Sequence, residues 1–113
     1  MKKILIILLL IVGCAKEPIN TETLEERDDV YYTKDTNEPY TGAVFSLYKS
    51  GEKSFEAHLK DGKWDGKFNG YYVNGQIQGE GNFKDGKQDG KQTDYDENGK
   101  ITDERNYKDG KRL

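Results

Sequence analysis

The chain has 113 residues, room for one domain, with 35% charged and 33% hydrophobic residues and a formal charge of −3. Both signs are interleaved in short runs such as Lys60-Asp61-Gly62-Lys63, so no basic stripe builds up and nucleic acid is excluded as the main partner. A single cysteine, Cys14, excludes an intramolecular disulfide and a cysteine-based metal site.

Met1-Lys2-Lys3 makes a positive start, and Ile4 to Val12 is an uninterrupted apolar run. It is too short to cross a bilayer as a helix, which takes about 20 residues. The run ends in Ile11-Val12-Gly13-Cys14, which resembles the lipobox of bacterial lipoproteins, where aliphatic and small residues precede an obligatory cysteine. That resemblance implies a signal peptide over residues 1–13, a diacylglyceryl group on the Cys14 sulfur, cleavage between Gly13 and Cys14, and often acylation of the new amino group. An ordinary secretory signal ending in a cysteine is the alternative. Two or three acyl chains would anchor the chain stably, one only marginally. Ala15 after the cysteine, rather than Asp, implies the outer membrane in a two-membrane host; a single-membrane host would carry it on the outer face of the plasma membrane. Loss of Lys2 and Lys3 with the signal leaves 16 basic against 21 acidic residues, a mature charge of −5.

Residues 14–29 are polar and charged, with Pro18 near the start and no sustained apolar period. They read as the lipidated cysteine and a flexible tether, with room for a short helical turn around Thr21 to Arg27.

From residue 30 to 113 the chain is punctuated by small polar residues followed by glycine: Ser50-Gly51, Asp61-Gly62, Asn74-Gly75, Asp85-Gly86, Asn98-Gly99 and Asp109-Gly110. The intervals between these glycines alternate, shorter then longer, so the whole pattern recurs with a period of about 24 residues, an internal repeat. Superposition at that shift stacks Leu47, Tyr71 and Tyr95; Leu59, Phe83 and Tyr107; Ile77 and Ile101; and Gly42, Gly66 and Gly90. Asn-Gly and Asp-Gly suit type I′ hairpin turns, because both central residues need positive φ. Gly75→Val is therefore the substitution expected to damage the fold most.

Between turns the residues alternate as in strands. In Lys53-Ser54-Phe55-Glu56-Ala57-His58-Leu59-Lys60, Phe55, Ala57 and Leu59 share one face and Glu56, His58 and Lys60 the other. Strands are predicted near 30–33, 43–49, 53–60, 67–73, 76–84, 91–96 and 100–108. The fold class is all-β, a single-layer antiparallel β-meander of tandem hairpin repeats. Gln88, Gln92, Asp94 and Asp96 replace Trp64, Phe68, Gly70 and Tyr72 of the preceding unit, a polar finish that suits the end of a solenoid.

The stretches Asp61-Gly62-Lys63-Trp64-Asp65-Gly66 to Asn74-Gly75 and Asp85-Gly86-Lys87-Gln88-Asp89-Gly90 to Asn98-Gly99 resemble the MORN-variant repeat of bacterial proteins. Asn37-Glu38-Pro39-Tyr40-Thr41-Gly42 fits a degenerate first unit, so the resemblance spans residues 37–113. It implies architecture more than activity. Many bacterial proteins with this repeat are antitoxins of toxin-antitoxin systems, and an exported member would act as an immunity protein.

The residues point away from catalysis. The only histidine, His58, sits on a charged strand face, without the paired nucleophile that hydrolysis needs. Asp61, Asp65, Asp85, Asp89 and Asp109 fall in turns, where Asp serves the backbone, and lysines interrupt what would be calcium loops. No catalytic residue, metal ligand or cofactor is predicted. Tyr40 and Trp64, at equivalent loop positions, and Tyr48, Tyr71, Tyr72 and Tyr95, in repeated rows, are the candidate binding residues, with Trp64 foremost; the alternative is that they cover a thin sheet. The leading functional expectation is a lipid-anchored, non-enzymatic protein-interaction module at the cell envelope, its protein partner unidentified. The other two are an antitoxin or immunity protein and a cell-wall or glycan binder.

Overall fold

The computed structural model describes residues 17–113; the expected signal peptide, its cleavage point at Gly13 and the lipid site at Cys14 lie outside them. The elements are β1 (Ile19–Asn20), a 3-10 turn (Thr21–Thr23), β2 (Leu24–Arg27), β3 (Val30–Thr33), β4 (Gly42–Leu47), β5 (Lys53–Lys60), β6 (Lys63–Trp64), β7 (Gly66–Tyr71), β8 (Ile77–Lys84), β9 (Lys87–Gln88), β10 (Gly90–Tyr95), β11 (Ile101–Lys108) and β12 (Lys111–Arg112). All but β2 and β3 join one sheet ordered β1-β4-β5-β7-β8-β10-β11-β12, with β6 on β5 and β9 on β8. Except for a parallel β1–β4 pair, every pairing is antiparallel, so the expected meander is the body of the molecule.

The alternation read in β5 survives as two faces. Val44 lies opposite Ala57 and Gly42 opposite Leu59, which puts the apolar residues of β4 and β5 on one side. There Val44 and Leu59 keep only 1% and 2% of their surface exposed. Strands 30–33 and 53–60 stand as expected, and the others begin or end close to their predicted limits. The short strands β6, β9 and β12 were not expected. Each follows an Asp-Gly turn and pairs with the end of the strand before it.

Two turn types alternate where one was expected. At Asp61-Gly62, Asp85-Gly86 and Asp109-Gly110 both residues have positive φ, 51° and 81° in the first, which makes two-residue hairpins of the expected I′ geometry. At Ser50-Gly51, Asn74-Gly75 and Asn98-Gly99 only the glycine is positive. There the Gly51 amide donates to the Tyr48 carbonyl at 2.9 Å and the Tyr48 amide to the Glu52 carbonyl at 2.8 Å, a three-residue loop closed by the glycine. The strand register shifts by one farther along, between Ser46 and Leu47. At Asn74 the side chain accepts from the Gln76 amide at 2.9 Å, bracing the loop from within.

The segment expected to be a tether up to residue 29 is structured from Ile19 onward. Asn20 caps the 3-10 turn by accepting from the Glu22 amide at 2.9 Å, and β2 and β3 form a ribbon around Asp28 and Asp29, both at positive φ. The ribbon docks on the apolar face: the Tyr31 amide donates to the Gly62 carbonyl at 2.8 Å, and the Tyr40 amide to the Tyr31 carbonyl at 3.0 Å. Leu24, the single apolar residue of β2, is buried beneath it with Tyr40, Val44, Ala57 and Leu59. A lone apolar side chain in a short strand leaves no periodicity, so this local second layer was invisible in the sequence. Farther along, the sheet is one layer.

Candidate functional site

The apolar face carries a row of rings. Trp64 lies opposite Leu59 in the β5–β6 pair. Its ring centroid is 5.1 Å from Tyr31, 5.6 Å from Phe68, 6.0 Å from Phe55 and 6.4 Å from Phe83. Phe55 stacks on Phe68 at 5.0 Å, and Phe68 meets Phe83 at 5.5 Å. Such contacts add about 0.5–1.5 kcal/mol per pair beyond area burial. Tyr40, equivalent to Trp64 one unit earlier, is buried against Gly42, where a Cβ would lie 2.6 Å from its hydroxyl oxygen. That hydroxyl donates to the Ala43 carbonyl at 3.3 Å. Both residues are thus used for packing, although Trp64, expected in a loop, lies in strand β6.

The other four tyrosines bolt neighbouring units together. Tyr48 donates its hydroxyl to the Tyr71 carbonyl at 2.5 Å, and one repeat further on Tyr72 donates to the Tyr95 carbonyl at 2.8 Å. On the polar face Tyr71 donates to Glu56 and Tyr95 to Glu80, again one repeat apart. The Asp-Gly turns form a third series: the amides of Gly62, Gly86 and Gly110 each donate at 2.8 Å to the carbonyls of Tyr40, Trp64 and Gln88. The glutamates were not among the candidates from sequence, although superposing the repeats places Glu56, Glu80 and Glu104 in one column.

These bonds set the charge states. Burial, then the bond to Glu56, pushes the Tyr71 phenol up to about 12, while donation from Tyr71 and Lys53 holds the Glu56 carboxyl below its ordinary value. A phenol raised in the folded state favours folding below its unfolded pKa near 10, and that contribution disappears as pH rises to about 12. The lowered carboxylate acts oppositely: its contribution is present above the unfolded value and fades as pH falls through the folded one. Tyr71→Phe should therefore flatten the decline in stability between about pH 10 and 12. Urea midpoints across that range check it, and an equally steep decline in the variant would contradict the assignment.

At the C-terminal end of the apolar face, ion pairing replaces aromatic packing. Arg105 donates to Asp94 at 2.7 Å, to Asp103 at 2.6 Å and to the Tyr107 hydroxyl at 3.1 Å. Donation from this guanidinium holds both carboxylates below their usual range. Among the described residues, no three His, Cys, Asp or Glu side chains gather as metal ligands. His58 stands exposed on the polar face.

Hairpins joined by the same side-chain and backbone bonds once per unit define a tandem β-hairpin repeat protein. The family model described as the MORN repeat variant matches residues 64–85 and 88–109, two segments in the same phase of the repeat, so the chain carries MORN-variant repeats over these two units. No curated protein matches the chain. The repeat suggests a protein-interaction module.

Proposed function

We propose that this protein is a lipid-anchored, non-enzymatic interaction module at the cell envelope, held to the membrane through Cys14 and presenting its sheet to a protein partner. The observation that carries the reading is the repeat lattice: phenols, glutamates and turn amides are spent on joining the units, which yields a rigid, extended surface. A preorganised surface suits macromolecular recognition because little ordering entropy is lost on binding. The chain from Cys14 to Ile19 can span at most about 17 Å, so an anchored chain would hold β1 and its edge of the sheet near the bilayer. The outer membrane of a two-membrane host, or the outer face of a single membrane, is the proposed location.

The test is in-cell crosslinking of the full chain, purification and mass spectrometry, with Cys14→Ser alongside. One protein recovered in near one-to-one ratio with the membrane-held chain is the expected result, and a toxin in that position would turn the reading toward immunity. No protein enriched over repeated trials would overturn the interaction role. Cys14→Ser should move the protein from the membrane pellet to the supernatant after high-salt and carbonate washing; retention in the pellet would defeat the anchor.

A further inference from the structure

On the apolar face, between the aromatic row and the Arg105 network, three strand residues lack side chains. Gly70 lies opposite Gly79, and Gly81 opposite Phe68, so the three adjoin on one surface. None has positive φ, and no turn requires them. Glycine inside a strand is less favourable than alanine and marks places where a ligand or another backbone comes close. Two of the three have an internal reason. A Cβ on Gly81 would collide with the Gln92 amide oxygen, and one on Gly79 would lie 3.3 Å from both the Gln92 amide nitrogen and Asp94. Gly70 has none: a Cβ there would meet only the Ser54 carbonyl, at 4.0 Å. The surface above it is empty and forms part of a hollow of about 430 Å³.

The walls of the hollow are chemically unequal. Phe68 and Tyr72 supply rings on one side; Gln92 and Asp94 supply planar polar groups on the other. These two are fixed, since the Gln92 amide donates to Asp94 at 3.2 Å and Arg105 grips Asp94 from beyond. We infer that this hollow is a saccharide subsite, taking one uncharged pyranose ring of a glycan. The C–H face of the sugar lies against the rings and the glycine floor, and its hydroxyls bond the Gln92 amide and the Asp94 carboxylate. A partner's phenyl ring fits the aromatic wall equally well but strips water from the amide and carboxylate without replacing its hydrogen bonds, which is costly for both groups. An anionic group is repelled by Asp94. The volume is in the range of small-ligand sites, about 300–1,000 Å³.

Titration of the full chain, in a non-glycosidic detergent, with chitopentaose, cellopentaose and maltopentaose tests the site by calorimetry and by amide shifts at Gly70, Gly79 and Gln92. At least one sugar should bind at millimolar concentration and move those amides. Gly70→Ala should weaken binding about tenfold or more while the thermal midpoint stays level or rises, because the methyl group enters space the fold leaves free. Gln92→Leu should also lose binding. Failure of all three sugars with the native chain would overturn the subsite, as would affinity unchanged in both variants. Neither result bears on the protein-partner reading, which the crosslinking decides separately.

Discussion

Trp64→Ala should lower the stability of the chain by about 3 kcal/mol, toward the small end of the range for truncating a large aromatic because Trp64 is only half-buried. Its indole touches four rings from β3, β5, β7 and β8, so removal opens the contact between the ribbon and the first two units together. The loss is a large share of the roughly 5–15 kcal/mol available to a typical domain. Urea unfolding followed by far-ultraviolet circular dichroism, which does not depend on the lost fluorophore, checks the value. Trp64→Phe, which keeps a ring, should recover most of it. A Trp64→Ala midpoint equal to the native one would mean that the ring row is ornamental to folding, and would return Trp64 to the role of a free contact residue.

Gly62→Ala is expected to cost about 4 kcal/mol, more than any other single glycine replacement in the turns. Two effects coincide there. The residue sits at φ +81°, where a side chain is strained, and a Cβ would lie 2.5 Å from the Val30 side chain and 2.8 Å from the Tyr31 carbonyl oxygen. Backbone cannot yield as a flexible side chain does, so the ribbon must lift, exposing Leu24 and parting Tyr31 from Trp64. Gly75, singled out by sequence as the most sensitive glycine, has φ +90° and nothing within 4 Å. Gly75→Ala should therefore show the conformational strain alone, about 1 kcal/mol. Thermal unfolding of both variants side by side measures the difference, and equal losses would contradict the docked ribbon.

That contrast marks what sequence could and could not disclose. The strands were legible because two local signals agreed: alternation between faces and turn glycines at a regular spacing. Asp61-Gly62 announced its turn geometry, since few residues other than glycine, asparagine and aspartate accept positive φ. Asn74-Gly75 carried the same signature and folded otherwise, because the strands there close one residue further out: the Tyr72 amide donates to the Gln76 carbonyl at 2.8 Å, a three-residue loop in which only the glycine needs positive φ. The ribbon could not be read at all. Leu24-Glu25-Glu26-Arg27 becomes a strand by docking on a surface assembled by residues farther along the chain, and that is a tertiary effect. Among the candidate binding residues, the repeated rows were legible but their use was not: a tyrosine column looks the same whether its hydroxyls face a ligand or bolt the next hairpin. The glutamate column beside it was the missing clue. Gly70, Gly79 and Gly81 lie inside strands and carry no turn signature, so the sequence does not set them apart.

Amide hydrogen exchange of the full chain tests most directly whether successive units are joined by bonds that recur once per unit. Gly62 and Gly86 donate across units, whereas Gly51 and Gly75 donate only within their own turns. Protection of Gly62 and Gly86 at the level of the β5 and β8 amides, with Gly51 and Gly75 exchanging much faster, is the predicted result. If all four exchanged at the same fast rate, the turn amides would not join successive units and that part of the lattice would not exist.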